Sequence, residues 1–193
     1  MKASDTPVDI VGGSNQLVGF ISIVELSKDL FRGGMLLTDL RGKPQDFRCT
    51  SAIKPSAIQK VLYGGTLMEH MALDLCGLPL LKAMPKKPVL LLTNIPGLLV
   101  LRPESEQPVL WLRRQSETLP SAGTGNVGEA CELIASEAGL FDTIMASSHS
   151  EYGAELGGAI GFIREMARAV DPLEPFDRVQ AALKLVQDKA GVK

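Results

Sequence analysis

The amino-acid sequence predicts a single α+β domain, residues 1–193, in which helices cover an antiparallel sheet of five to six strands. Three observations lead to this prediction. Short segments of strand-like composition are concentrated in residues 1–114, together with one helix. Hairpin-sized connections rich in turn residues join those strands, and strands joined in this way must be antiparallel. Helical periodicity dominates residues 126–193, so the C-terminal third is predicted to be helical.

The first strands are predicted from composition and alternation. Residues 17–26 are rich in β-branched and aromatic side chains, which indicates a mostly buried strand. Residues 34–51 have the pattern of a hairpin whose turn lies at 39–44. In its second arm, apolar Phe47 and Cys49 alternate with polar neighbours, which is typical of a sheet with one wetter face.

A helix and three further strands complete the predicted sheet layer. Apolar residues recur at steps of three and four over residues 55–77, and a kink is expected at the Gly64–Gly65 pair. The three strands that follow lie at residues 88–94, 98–102 and 109–114. Polar residues 115–125 are the predicted linker, which leaves open whether residues 126–193 form a subdomain.

Three helices are predicted after this linker. Asn126 and Glu129 are spaced as a capping box for a first helix that ends at Gly139. Two more helices are expected at about residues 152–170 and 175–190. The core of the resulting order, two strands, a helix, three strands and a helix, resembles the layout of profilin-like and roadblock/longin-type sheets at the level of pattern.

Charge and hydropathy limit the classes of partner that the chain is expected to bind. The chain carries 20 basic and 22 acidic residues, whereas nucleic-acid binders usually show a basic surplus. We therefore predict no nucleic-acid partner. A nucleic-acid surface around the first hairpin, formed by Arg32, Arg41, Lys43 and Arg48, remains an alternative that requires salt-sensitive binding. The longest apolar runs are strand-sized, so no membrane association is predicted.

The three cysteines, Cys49, Cys76 and Cys131, are far apart in the sequence and odd in number. This pattern is not a disulfide framework, and no pair of them has the spacing of metal ligands. We predict reduced thiols, a cytoplasmic protein, and neither a metal site nor a cofactor.

A glycine-rich segment is the first candidate ligand site. Gly123, Gly125 and Gly128 match the letters of a dinucleotide-binding loop and precede a predicted helix, whose N-terminal amides bind phosphate in such loops. However, no strand comes directly before the segment, and no parallel βαβ unit follows it. A linker that leads into a helix cap is therefore the favoured interpretation.

The two histidines give the candidate catalytic residues. His70 and Asp74 have the i, i+4 spacing of a pair, and an Asp-held imidazole is half of a nucleophilic triad. No serine or cysteine is placed beside them, so a solvated helix face is favoured. Ser148 and His149 lie in a polar segment before a predicted helix, where a capping loop is the simpler interpretation and a catalytic or phosphate loop the alternative.

A glycine-faced helix points to a partner. Gly157 and Gly161 let another backbone approach closely, either within the domain or from another chain. With a mean hydropathy of +0.14 and no catalytic signature, we predict a non-catalytic protein-interaction module, an adaptor or complex subunit with a protein partner or homo-oligomer, rather than an enzyme. The alternative is a small enzyme or anion- or nucleotide-binding domain, with its site near residues 121–128 and 147–152.

Overall fold

The computed structural model describes residues 16–118 and 124–191, which form a seven-stranded sheet with helices on both faces. The strands are β1 (Leu17–Ser27), β2 (Leu30–Asp39), β3 (Pro44–Cys49), β4 (Leu90–Thr93), β5 (Val109–Arg114), β6 (Val127–Ile134) and β7 (Ile144–His149). Their order across the sheet is β3-β2-β1-β4-β5-β7-β6.

Helical segments fill two long connections and the C-terminal region. The α-helices are α1 (Ala57–Tyr63), α2 (Leu67–His70), α3 (Leu78–Ala83), α4 (Glu155–Ala167) and α5 (Glu174–Gly191). Short 3-10 helices span Gly64–Thr66, Pro96–Glu104 and Ser150–Tyr152, and a π-helical segment spans Met71–Gly77. None of the helices within the described ranges is long and apolar enough to cross a membrane.

The centre of the sheet is parallel and its two flanks are antiparallel. β4 pairs in parallel with both β1 and β5, whereas β2, β3, β6 and β7 add antiparallel pairs. The helical residues 57–83 return the chain from the end of β3 to the start of β4, so β4 runs in the same direction as β1. The carboxyl ends of β1, β4 and β5 consequently point to the same edge of the sheet, where β1 continues to Ser27 beyond the end of β4.

This mixed sheet corrects the predicted antiparallel sheet of five to six strands. The prediction assumed that hairpins join residues 88–114, but residues 98–102 lie in the 3-10 helix Pro96–Glu104. That helix carries the chain back across the sheet, so β4 and β5 are parallel. Its buried leucines form an apolar run without alternation, which fits a buried helix as well as a strand.

The predicted helical C-terminal third is also wrong in its first half. Residues 126–139 were expected to form a helix, yet β6 is an edge strand that pairs with β7 from Cys131↔Ser147 to Ile134↔Ile144. Ile134 is the one fully buried residue of β6. Because the other side chains of this strand bury little surface, they contribute little to the choice between helix and strand. Pairing with β7 decides the conformation, because strand preference depends mainly on context.

Two apolar layers hold the sheet between its helices. On one face, α4 and α5 pack against the central strands, and the rings of Phe20 and Phe176 meet edge to face at 5.4 Å between centroids. Gly34 brings α5 close, since a Cβ there would lie 3.0 Å from both Val179 and Leu183. On the other face, leucines of the Pro96–Glu104 helix pack on β4 and β5. Each fully buried leucine contributes about 1.5–3 kcal/mol to folding.

Candidate functional site

A ligand site is expected at the edge where the parallel strands end, because ligands of such sheets bind outside the carboxyl ends of the strands. β1 and β4 are in register at Ile21↔Thr93, and one residue further on the Ser22 hydroxyl donates to Asn94 Oδ1 at 2.8 Å. Ser22 is 3% exposed, whereas Asn94 is exposed to solvent. The edge therefore presents a neutral hydrogen-bonding pair.

The turn after β4 is built by its last residue. The Thr93 hydroxyl accepts a hydrogen bond from the Ile95 backbone N–H at 3.1 Å, and Thr93 is fully buried. A threonine in this position satisfies a backbone donor that would otherwise lie unpaired at the strand end. The turn holds Asn94 at the edge, where it meets Ser22.

Arg32 is the buried cation beside this pair. It lies near the start of β2. It is the diagonal neighbour of Ser22 across the two strands, because Ser22 pairs with Gly34 and Val24 pairs with Arg32. The Arg32 side chain is on the face covered by α5, where its Nη2 donates to Gln187 Oε1 at 3.2 Å. Arg32 is 7% exposed, and its buried Nε has no hydrogen-bond partner among the described residues.

Three lysines lie around the Asp29 carboxylate at the tip of the β1–β2 hairpin, where Glu25 supplies a second carboxylate. Lys60 Nζ lies 2.6 Å from Asp29 Oδ1, and this contact with Lys60 holds the pKa of Asp29 below its usual value. The charges of Lys28 and Lys54 lower the pKa further. The tip thus carries more positive than negative charge, and the lysines are exposed. We refer to Ser22, Arg32, Asn94, Lys28, Lys54 and Lys60 as the carboxyl-edge site.

The end of β5 adds two arginines to the same edge. Arg113 donates to the backbone carbonyls of Arg114 and Glu117 at 3.1 and 3.0 Å, and its guanidinium lies 5.6 Å from the centre of the Trp111 ring. Arg114 pairs with Asp171 in the segment before α5. Arg113 therefore extends the positive surface, while the Asp171 carboxylate neutralises Arg114.

Sequence reasoning missed this site, although two signals were present. Ser22 interrupts an apolar strand, and Asn94 follows directly after another. Of the four basic residues proposed around the first hairpin, the structure places only Arg32 in the site. Arg41 and Lys43 lie in the turn between β2 and β3, at the opposite edge, and Arg48 pairs with Asp46 at 3.2 Å.

The structure does bring His70 and Asp74 together. His70 Nδ1 and Asp74 Oδ2 are 2.7 Å apart, and the Tyr63 ring stacks on the imidazole at 4.4 Å between centroids. The pair lies on the surface of the helical segment that precedes β4, where His70 is partly buried under Tyr63 and Asp74 is exposed. No serine or cysteine forms a hydrogen bond with this histidine among the described residues, so the geometry gives it no nucleophile to activate.

Ser148 and His149 end β7 and face opposite sides of the sheet, as neighbours in a strand do. Ser148 Oγ is buried and has no partner in the described part of the chain. His149 Nδ1 accepts from the Glu151 backbone N–H at 3.2 Å, and its ring meets Tyr152 edge to face. β7 is antiparallel to β5, so both residues lie at the edge opposite the carboxyl-edge site.

The predicted glycine loop opens a strand and not a helix. Gly125 precedes β6, and Gly128 lies within β6, where an added Cβ would be 3.3 Å from the Ser148 carbonyl oxygen. Gly123 lies outside the described residues. The helix N-terminus that a phosphate loop needs is therefore missing after Gly125 and Gly128.

The glycine-faced helix is α4. Gly157 lies on its solvent side, where an added Cβ would meet no atom within 4 Å, whereas the buried face of α4 packs over β6 and β7. Packing among the described residues thus leaves Gly157 without a close neighbour. An interface at Gly157 and Gly161 stays a prediction.

Comparison with known proteins finds similar folds among solved structures, but no similar sequence. No protein-family model matches the chain, and its sequence matches no curated protein. Endonuclease V of Ciona intestinalis, in complex with a 24mer DNA containing an inosine followed by a ribo-adenosine, superposes with a TM-score of 0.52 at 13% identity and covers 89% of this chain and 87% of its own. Human ENDOV superposes with a TM-score of 0.50 at 11% identity, covering 91% and 86%.

This likeness overturns the function predicted from the sequence. These two solved structures, which the fold resembles, are an endonuclease V in complex with DNA and human ENDOV, and not adaptors or profilin-like modules. The predicted function, a protein-interaction module or adaptor with no nucleic-acid partner, is therefore wrong, whereas the absence of catalysis stays a prediction. The prediction relied on a net charge of −2, which averages over the molecule and hides the lysines gathered at one edge.

Proposed function

We propose that this protein binds nucleic acid along its carboxyl edge. The observation that carries the proposal is the shared fold, which extends over 89% of this chain and 87% of an endonuclease V that holds DNA. The position of the site agrees with the rule that sheets of this kind bind ligands where their parallel strands end. Polar, cationic residues lie there in place of the apolar side chains of the strand centres.

The charge of this edge supports the proposal. Lys28, Lys54 and Lys60 lie around Asp29 and outnumber the two carboxylates of the hairpin tip, Asp29 and Glu25. Arg32 adds a fourth cation with an amide partner. Lysine and arginine neutralise phosphates and release the counterions bound to them. In a plot of the logarithm of the binding constant against the logarithm of the salt concentration, each neutralised phosphate makes the slope more negative by about 0.9. Binding is therefore expected to weaken as salt is raised.

The test is fluorescence anisotropy with labelled single-stranded DNA, duplex DNA and RNA, each with and without an inosine, over a range of salt concentrations. The double variant Lys28→Ala/Lys54→Ala removes two exposed cations of the edge. Its control, Lys86→Ala/Lys87→Ala, removes two lysines beside the start of β4, at the opposite edge.

The first variant is expected to lose affinity and to reduce the salt slope by about 2, and the control to behave like the wild type. Equal losses in both variants would mean diffuse attraction rather than a surface. No binding of any probe at low salt would refute the proposed function.

We further propose that the protein acts in the cytoplasm. Cys49, Cys76 and Cys131 are free thiols, the usual state in a reducing compartment. Cell fractionation tests this proposal, and recovery of the protein from an oxidising compartment would contradict it.

A further inference from the structure

The endonuclease fold implies a divalent cation, because nucleases commonly hold metal ions between carboxylates to activate water and stabilise the leaving oxygen. The donor set at the carboxyl edge does not fit such an ion. Ser22 supplies a hydroxyl, Asn94 an amide and Arg32 a guanidinium. Within residues 16–118 and 124–191, no group of three histidine, cysteine, aspartate or glutamate side chains is placed to hold a metal.

The carboxylates of the nearby hairpin are already engaged. Asp29 is held by Lys60 at 2.6 Å, and Glu25 Oε1 accepts the Asp29 backbone N–H at 3.0 Å. Both contacts tie the two carboxylates to the hairpin tip. Asp29 and Glu25 are thus paired within the hairpin tip, and neither forms a hydrogen bond with Ser22 or Asn94 among the described contacts.

A buried guanidinium requires a counter-charge or full hydrogen bonding, since removing a charge from water is costly. The described contact of Arg32 is the neutral Gln187 amide, and within residues 16–118 and 124–191 its buried Nε has no hydrogen-bond partner. The positive charge is thus left for an anion that approaches the edge. Because Asn94 Oδ1 accepts from Ser22, the amide N–H groups of Asn94 are its remaining donors.

We propose that Asn94, oriented by Ser22, and Arg32 hold a nucleic-acid phosphate directly, without a divalent cation, and that the protein binds nucleic acid without metal-dependent strand cleavage. This inference rests on the proposed function and deepens it. Arg32 supplies the charge from within the fold and Asn94 donates hydrogen bonds at the surface. Ser22 is the positioning residue that orients the amide.

A first experiment measures metal binding by the free protein and needs no nucleic acid. Thermal unfolding is followed in EDTA, Mg²⁺ and Mn²⁺ at matched ionic strength, and the wild-type Tm is expected to be the same in all three. The variant Ser22→Asp/Asn94→Asp places two carboxylates at the edge and is expected to gain a metal-dependent rise in Tm. A wild-type Tm that rises with either metal and loses that rise in Asn94→Ala would overturn the inference.

A second experiment follows binding and cleavage with the labelled oligonucleotides that bind the wild type. Affinity is expected to be equal in EDTA and Mg²⁺, with no cleaved product on a denaturing gel in either metal. Asn94→Ala, a change at an exposed side chain, is expected to weaken binding about ten-fold, as loss of a hydrogen bond to a charged group does. Arg32→Lys retains the charge and is expected to lose less than Arg32→Gln.

The two proposals fail in different ways. If the wild type binds nucleic acid only with Mg²⁺, or cuts it in a reaction that Asn94→Ala abolishes, the proposed function stands and this inference falls. Unchanged affinity in a folded Asn94→Ala and in a folded Arg32→Gln would also overturn it. If no oligonucleotide binds under any condition, the proposed function falls and takes the phosphate contact with it.

Discussion

Ser22 on β1 and Asn94 after β4 are joined side chain to side chain, with 2.8 Å between Ser22 Oγ and Asn94 Oδ1, although 72 residues separate them in the sequence. The parallel pairing of β1 and β4 makes this contact, because it sets Ile21 level with Thr93, the last residue of β4, while β1 continues to Ser27. The pair marks the centre of the carboxyl edge, with Arg32 on one side and the lysines of the hairpin tip beyond it.

Replacing Asp29 by Asn is expected to tighten nucleic-acid binding by about two- to five-fold, because it removes the carboxylate that Lys60 contacts among three lysines. Asparagine also accepts the positive φ of 60° at this residue. The measurement is anisotropy at pH 7 and low salt. Since the pKa of Asp29 is lowered, the wild type is expected to approach the variant only when the pH falls through that lowered pKa.

Glu106→Gln is the matched control for Asp29→Asn. Glu106 lies in an equivalent ion pair, 2.6 Å from Lys87, which also lowers its pKa, but near the opposite edge of the sheet. Its affinity for nucleic acid is expected to equal that of the wild type. If Glu106→Gln gained as much affinity for nucleic acid as Asp29→Asn does, the gain would result from the change in net charge and not from the position of Asp29.

Gly77→Ala is expected to lower the free energy of unfolding by about 1–3 kcal/mol or more, because the new methyl group would overpack the core. A Cβ at Gly77 would collide with the Leu101 side chain and lie 2.7 Å from the Ala72 carbonyl oxygen. In contrast, Gly157→Ala in α4 meets open space and is expected to add about 0.5–1 kcal/mol. Urea unfolding of both variants checks the opposite signs, and a destabilised Gly157→Ala would point to the predicted interface.

Breaking the Arg102–Glu155 ion pair is expected to destabilise the fold. Arg102 in the Pro96–Glu104 helix has 12% of its side chain exposed, and Glu155 at the start of α4 has 31%. Glu155→Gln leaves the mostly buried guanidinium without its counter-charge, at a cost of about 2 kcal/mol after allowance for the exposed part. Chemical denaturation measures this cost.

Glu165→Gln is the control for the Arg102–Glu155 pair. It removes a carboxylate that pairs with Arg168 at 2.6 Å, with 54% and 65% of the two side chains exposed. Its expected cost is below about 0.5 kcal/mol, because exposed ion pairs contribute little. Similar costs for Glu155→Gln and Glu165→Gln would contradict a special role for the buried pair.

The cysteines are expected to differ in reactivity. Burial raises the pKa of Cys76 to about 11, so its thiol stays protonated and shielded at pH 8, whereas Cys131 on β6 is exposed. Treatment of the folded protein with iodoacetamide at pH 8, read by peptide mass spectrometry, should label Cys131 and leave Cys76 unmodified. Both should be labelled in urea. Rapid labelling of Cys76 without denaturant would show that the packing around it opens.

Local patterns were reliable where a segment carries its own signal. The β1 strand, the β2–β3 hairpin with its turn, and the two C-terminal helices were all expected close to where the structure has them. Burial of one face and turn chemistry act over a few residues, so they can be identified from the sequence. The pair of His70 and Asp74 was also expected, since a helix brings residues four apart together.

Errors arose where neighbours in space decide the conformation. The apolar segment 98–102 fits a strand or a buried helix equally well, and β6 is a strand because β7 is beside it. Each error changed the topology. Because residues 98–102 form a helix and not a strand, the connection expected to be a hairpin is a parallel one. This also changes the edge of the sheet at which β5 ends.

The sequence alone established that the chain has an apolar core, a mixture of strands and helices, and no strong catalytic motif, because these are properties of composition and short-range spacing. Tertiary structure decided strand direction and strand order, and so decided which polar residues meet. Ser22, Arg32 and Asn94 share an edge only because β1 lies between β2 and β4, parallel to β4. Long-range pairing of this kind leaves no periodic trace along the chain.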